Sequence, residues 1–250
     1  MNREEMPEDI YEGKGKPGCW LKLTAVLLLV AFTLLALPGL SYLFTDRLRF
    51  LDQNQVLQED QIVLQCKPAI VSIAAVSMND AFLRAVHRGT GFNIAPTGTI
   101  ITNRHVVENA GKITITFDDG TRFYVNQYET VPGNDIAVIH LKGHDLPTIA
   151  LDPDDNIKSG DMVTVIGNPL GFENIAQRGE VDGRFTVADS TAPVWAVKLE
   201  ANPGSSGSPL INSQSRVVGI VFAAAAFESN NQTESRALAI PVQVLPDSLF

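Results

Sequence analysis

The chain has 250 residues, 45% of them apolar, with 28 acidic against 19 basic residues and a net charge of −9. That is enough apolar material for one large or two small packed cores, and too much for a disordered chain. The acidic balance, with no Lys/Arg cluster against it, excludes the electrostatic footprint of a nucleic-acid binder, and two cysteines, Cys19 and Cys66, one on either side of a long apolar run, argue against a disulfide framework.

Residues 1–22 are polar, with Glu4, Glu5, Glu8, Asp9 and Glu12 followed by Lys14, Lys16 and Lys22, and read as a solvated tail. From Leu23 to Phe44 there is no charge, and the run is long enough to cross a bilayer as one transmembrane helix. A cleaved signal peptide with its apolar core at Leu23–Leu37 is the competing reading, but the long tail and the lack of a small-x-small site favour a retained anchor. Basic residues before the span (Arg3, Lys14, Lys16, Lys22) outnumber those after it (Arg47, Arg49), which predicts a cytoplasmic N-terminus and a periplasmic or extracellular body. Residues 45–61, with Leu48, Leu51 and Leu57 only weakly periodic, read as a linker or stalk.

At Ile62 the texture changes, and residues 62–250 read as one domain of short strands punctuated by Gly, Pro, Asn and Asp. Ala69–Ala74 begins them. Ile113, Ile115 and Phe117 alternate with threonines, Asp119-Gly120 supplies a turn, and Phe123 and Val125 alternate on the way back, which predicts a hairpin. Further strands are expected over Ile136–Leu141, Met162–Gly167, Val194–Leu199, Val217–Phe222 and Ala237–Ile240. With little helical periodicity between them, they predict an all-β barrel or sandwich.

The stretch richest in chemistry is Asn202-Pro-Gly-Ser-Ser-Gly-Ser-Pro-Leu210. Glycines at 204 and 207 open backbone conformations in which consecutive amides converge in front of one side chain. Upstream, His105 stands where the apolar run Ile101–Thr102 gives way to a polar loop or short helix, a good place for a general base. Asp135 opens the apolar strand Ile136–Leu141, where a carboxylate needs a partner. The order His, Asp, Ser draws each residue from a different loop of a β scaffold. An α/β-hydrolase needs its histidine after the serine, and the last histidine here is His144, so that fold is excluded. No Ser-x-x-Lys occurs.

On these motifs residues 62–241 resemble the trypsin-like serine protease domain of the HtrA (Deg) type. Gly89-Thr-Gly-Phe92 resembles the family's early Gly-Ser/Thr-Gly strand, and Thr102–Val107 its Thr-Asn-x-His-Val segment. Asp135–Leu141, Gly167-Asn-Pro-Leu-Gly171, Asn202–Leu210 and Ala239-Ile-Pro241 follow in the family's order. The resemblance implies two antiparallel six-stranded barrels and a triad of His105, Asp135 and Ser206. It implies an oxyanion hole from the amides of Gly204 and Ser206, substrate contacts at Val221, Phe222 and Ala223, and chemistry that needs no metal or organic cofactor. It further implies protein or peptide substrates and a homotrimer. With nine residues after Pro241, the expectation is a peptidase domain of this type without the family's PDZ domain.

Three residues depart from the family pattern. Ser205 stands for asparagine or aspartate, Ser208 for a glycine, and Arg104 adds charge beside His105. Ser208 brings a Cβ expected to shift either the loop around the oxyanion hole or the primary specificity pocket, which would leave the hole not preformed. The resulting expectation is a membrane-anchored serine endopeptidase with a part in protein quality control. The alternatives are an inactive trypsin-fold binding or scaffold protein and a dedicated processing protease. Two weaker patterns, His140 with His144 and the acceptor Asn231-Gln-Thr233, read as solvated loop residues and a chance glycosylation match.

Overall fold

Ile70-Val-Ser-Ile-Ala-Ala-Val-Ser77 carries β-branched residues at the spacing of a pleated strand buried on one face and half-buried on the other. Runs of this kind set the architecture. The computed structural model describes residues 24, 26–28, 49–77, 85–154, 157–187, 190–229 and 232–250. The tail 1–22, most of the expected span 23–44 and Asn231 lie outside the described residues. Among the described residues no helix is long and apolar enough to cross a membrane. The chain divides into two units, Met1–Arg49 and Phe50–Phe250, and every described strand belongs to the second.

Fourteen strands are described, forming two sheets. The first contains β1 (Ile70–Ser77), β2 (Val86–Asn93), β3 (Thr99–Thr102), β4 (Ala110–Phe117), β5 (Arg122–Val125), β6 (Glu129–Thr130) and β7 (Ala137–His140), in the order β5-β4-β1-β2-β3-β7-β6. The second contains β8 (Ala150–Leu151), β9 (Met162–Gly167), β10 (Ile175–Phe185), β11 (Val194–Val197), β12 (Pro209–Ile211), β13 (Arg216–Ser229) and β14 (Gln232–Pro241). Its order is β12-β9-β10-β11-β14-β13-β8, and β12 also pairs with β13. That pairing closes six strands into a barrel.

The expectation of two closed antiparallel barrels is therefore met only by the second sheet. In the first, β6 is two residues long and pairs only with β7, leaving the outer edges of β5 and β6 unpaired among the described residues. A groove of about 510 Å³ lined by Asn126, Tyr128, Glu129 and His140 lies beside this opening. The second sheet also carries one parallel strand, β8, paired to β13 through Val217 and Leu151. The hairpin β4–β5 forms as expected, with Ile115 opposite Phe123. Strand β13 runs well past Phe222, because Ala223–Ala226 pairs with Arg236, Ala237 and their neighbours on β14.

Three apolar clusters hold this arrangement. Ile73, Ile100, Val106, Ile113, Ile115 and Ile139 fill the first sheet. Val163, Val165, Val197, Leu210 and Val218 fill the barrel. Ile70, Phe92, Ile101, Ile166, Ile211 and Ile240 form a third cluster that takes residues from both sheets and joins them. Each fully buried isoleucine contributes about 1.5–3 kcal/mol by leaving water. This third cluster packs the two sheets against each other.

Residues 50–61, read from sequence as a linker, pack with the domain. In helix α1 (Arg49–Leu57), Gln53 Nε2 donates to the Arg178 carbonyl at 2.8 Å, and Asn54 Oδ1 accepts from the Ala176 amide at 2.9 Å. These polar side chains cover the start of β10, which β11 reaches only from Val181 onward. Asp60 caps helix α2 (Gln61–Cys66) by accepting from the Ile62 amide and pairs with Arg178 at 2.9 Å.

Candidate active site

The short helix α3 (Arg104–Val107) follows β3 directly, and its buried Val106 and Val107 anchor it on the first sheet while leaving His105 exposed. Val106 packs where Gly89 has no side chain, since a Cβ at Gly89 would come within 2.7 Å of Val106 Cγ1. The Thr-Asn pair ahead of His105 has a structural job. Thr102 Oγ1 donates to the Thr90 carbonyl at 2.7 Å, and Asn103 Nδ2 donates to the Asp135 carbonyl at 2.8 Å. Asn103 thus ties the histidine's helix to the aspartate's strand.

His105 and Asp135 are joined twice. The ring Nδ1 lies 2.5 Å from Asp135 Oδ2, and the His105 amide donates to Oδ1 at 2.9 Å. Burial alone would push the Asp135 carboxyl up. The two hydrogen bonds from His105 and the charges of His105 and Arg104 outweigh it, leaving the carboxyl below its ordinary range. Asp135 thus stays ionised and fixes the proton of a neutral imidazole on Nδ1, which leaves Nε2 as the basic nitrogen. The Asp135 side chain is 14% exposed and that of His105 45%, so the ring faces open space from a shielded carboxylate.

The serine loop comes from the barrel. Its turns follow from its glycines: Gly204 has φ +98° and Gly207 φ +85°, and a Cβ at Gly207 would overlap the Thr90 carbonyl oxygen and lie 2.5 Å from Thr102 Oγ1. The Ser205 amide donates to the Asn202 carbonyl, the Gly207 amide to Val221 and the Ser208 amide to Ser205, at 2.8–3.0 Å. Among the described residues the amides of Gly204 and Ser206 meet no acceptor. Each is aimed by its own peptide plane. The Pro203 carbonyl accepts from the Leu170 amide at 2.7 Å and the Ser205 carbonyl from Ser208, so the N–H on the far side of each trans plane points away from those anchors.

The structure brings the two halves together at Gly89 and Thr90. The Thr90 amide donates to the Ser206 carbonyl at 2.8 Å, and a Cβ at Gly89 would sit 3.2 Å from that same oxygen. Ser206 and the helix carrying His105 thus flank one glycine. Among the described residues no hydrogen bond joins the His105 ring to Ser206, a looseness common in unliganded sites.

Val221, expected beside substrate, is buried, and both of its main-chain groups hold the serine loop: its carbonyl accepts from Gly207 and its amide donates to Ser208. Phe222 falls at a register shift of β13 against β14 and is half-buried with Ala223. Ser208 is fully buried, its Oγ lacks a partner, and it occupies the space left by Gly167, where a Cβ would overlap it. Its side chain points toward β9 instead of toward the amides, which reconciles the extra Cβ with the geometry of the loop. Sequence reasoning passed over the anchoring residues Thr90, Asn103 and Asn168. Their signal is a polar residue beside the glycines of 89–92 and 167–171, or beside His105, in motifs read only for those neighbours.

Residues 89–220 match the family model described as the trypsin-like peptidase domain. A curated relative from Pseudomonas fulva (strain 12-X), named "Probable periplasmic serine endoprotease DegP-like", is 35% identical over 161 residues, covering 64% of this chain and 33% of that protein. One of the same name from Chlamydia pneumoniae is 36% identical over 137 residues, 53% of this chain and 28% of that protein. The chain therefore spans about a third of the length of these relatives. Among solved structures, the HtrA-type protease AlgW with a decapeptide superposes with a TM-score of 0.62 at 23% identity, covering 74% of this chain and 64% of that one. A serine endoprotease from Yersinia pestis gives a TM-score of 0.58 at 25% identity, covering 73% and 62%.

Proposed function

The chain belongs to the trypsin-like peptidase family, and on that premise we propose that it is a serine endopeptidase working through an acyl-enzyme on Ser206. Ser206 Oγ attacks the scissile carbonyl as His105 Nε2 takes its proton. Asp135 holds the ring and stabilises the imidazolium without accepting the proton. The developing oxyanion meets the amides of Gly204 and Ser206, each worth on the order of 3 kcal/mol to the transition state. His105 then returns the proton to the leaving amine, and water repeats the sequence on the ester.

The single observation that carries this reading is the pairing of two unused amides with an oriented His105–Asp135 couple, the serine loop and the histidine's helix both lying against Gly89. The substrates are extended segments of protein, in keeping with the decapeptide held by AlgW. The relatives' periplasmic naming, together with the uncharged run 23–44, supports a body held outside the cytoplasm by an N-terminal anchor. A homotrimer and a part in protein quality control extend the same reading.

A fluorophosphonate probe followed by peptide mapping tests the chemistry. Label is expected on Ser206, and both label and turnover of an unfolded protein substrate disappear in Ser206→Ala. Label elsewhere, or turnover that survives the substitution, overturns the assignment.

A further inference from the structure

We infer that Thr90 is a positioning residue for the oxyanion hole, an inference that rests on the peptidase reading of Ser206. Thr90 belongs to the first sheet, yet four of its five hydrogen bonds to other loops engage or support the serine loop of the barrel. Its amide donates to the Ser206 carbonyl at 2.8 Å. Its Oγ1 donates to the Gly204 carbonyl at 2.8 Å and accepts from the Asn168 amide at 2.9 Å and from Asn168 Nδ2 at 3.2 Å. Its carbonyl accepts from Thr102 Oγ1 at 2.7 Å.

A hydroxyl has one proton and two lone pairs, and this one uses all three. The site is buried, so each partner left without it would carry a desolvation cost. The two residues whose carbonyls Thr90 holds, Gly204 and Ser206, are also the two whose amides have no acceptor. Holding the carbonyl on one side of each residue limits rotation of the amide on the other. The acceptor side of the same hydroxyl fixes Asn168, whose carbonyl lies against Gly204 and whose Oδ1 accepts from the Asn174 amide at 2.9 Å. Asn168 in turn leads to Leu170, the donor that turns the Pro203 carbonyl away from the site. Leu170 has φ +53°, a left-handed conformation that a leucine keeps only when its surroundings hold it there. The hydroxyl thereby steadies the peptide plane that aims the Gly204 amide, while the Thr90 main-chain amide holds the Ser206 carbonyl. A valine of the same shape would fill the space and keep the main-chain hold on Ser206, but it would lose the hydroxyl's hold on Gly204 and Asn168.

The full chain is compared with Thr90→Val and Thr90→Ser by turnover of a peptide substrate, by inhibition with a peptidyl boronate that mimics the tetrahedral intermediate, and by thermal unfolding. Loss of preorganised donors acts on the transition state, so Thr90→Val is expected to lower kcat about tenfold or more, leave KM within about threefold and weaken the boronate in proportion to kcat. Thr90→Ser, which keeps the hydroxyl, should stay within about threefold of the parent on every readout. If Thr90→Val is not folded at the assay temperature, Asn168→Asp takes its place. A carboxylate there draws the Thr90 proton away from the Gly204 carbonyl, and the same kcat-selective loss is expected. Equal kcat in the folded variant, a boronate affinity that does not follow kcat, or a serine variant as poor as the valine one overturns the inference while leaving the peptidase reading intact. A parent chain without turnover or label at Ser206 overturns both.

Discussion

His105 donates its main-chain amide to one oxygen of Asp135 while its ring nitrogen meets the other, so a single carboxylate fixes both the start of helix α3 and the tilt of the imidazole. Removing the charge while keeping the shape separates these two jobs. In Asp135→Asn the amide nitrogen donates to the ring, which puts the imidazole proton on Nε2 and removes the base. A fall in kcat of about 10⁴ with KM little changed is expected. Steady-state turnover between pH 6 and 9 checks it, and a loss smaller than about tenfold would remove Asp135 from the mechanism.

The same carboxylate carries a pH-dependent share of stability. Its folded-state value lies below the ordinary one. A depressed carboxyl stabilises the fold above its unfolded value of about 3.9 and loses that contribution as pH falls through the folded value. Acid unfolding curves of the parent and of Asp135→Asn should therefore keep a constant separation above about pH 4 and draw together as pH falls below it. Curves that stay parallel across that range would contradict the depressed carboxyl.

Gly207 tests how closely the serine loop must approach the first sheet. Alanine there meets a left-handed backbone, φ +85°, and a Cβ that collides with the Thr90 carbonyl. The conformational part alone costs about 1–3 kcal/mol, and the collision adds to it by pushing Ser206 off Thr90. Gly207→Ala should unfold several degrees lower and lose most of its reactivity toward a fluorophosphonate. Unchanged labelling kinetics would mean that the loop is free to move.

Much of this site is legible in the sequence, because the chemistry demands residue types that stand out. His105, Asp135 and the glycines of the serine loop are conspicuous in short apolar or polar runs. What escapes sequence reading is whatever depends on edges and partners. The two-residue β6 pairs only with β7 and leaves the first sheet open, yet its residues look like any polar connection. Ala223–Ala226 has no alternation of apolar and polar residues, so the extension of β13 is invisible until Arg236 and Ala237 pair with it. Helix α1 docks through the hydrogen bonds of Gln53 and Asn54 and the buried side chain of Leu57, and a single apolar anchor at the helix end gives no hydrophobic periodicity.

Ser208 is among the residues with a buried polar atom left without a partner. Its hydroxyl is buried among β9 and the serine loop without a partner. An unsatisfied buried hydroxyl costs about 1–3 kcal/mol. Ser208→Ala keeps the Cβ that Gly167 accommodates and removes only the oxygen, so the variant should unfold at a higher temperature than the parent. Destabilisation by about 1 kcal/mol or more would show that a buried water serves the hydroxyl.

Asp60 joins the helical approach to the barrel in two separable ways. One oxygen caps helix α2 at the Ile62 amide, and the other pairs with Arg178 on β10. Burial would raise its carboxyl, but the hydrogen bond and charge of Arg178 and the amides of Ile62 and Val63 prevail and lower it. Asparagine retains the cap and loses the charge; alanine loses both. Loss of a cap costs about 1 kcal/mol, and a partly exposed ion pair adds about 1 kcal/mol. Asp60→Ala should thus lose more stability than Asp60→Asn at pH 7. Because the carboxyl is depressed in the fold, the penalty of either variant should shrink as pH falls through the unfolded value near about 3.9. Denaturant titrations at pH 7 and below pH 4 decide the matter. Equal losses for the two variants would assign the whole effect to the ion pair, and none for either would detach Asp60 from the stability of the domain.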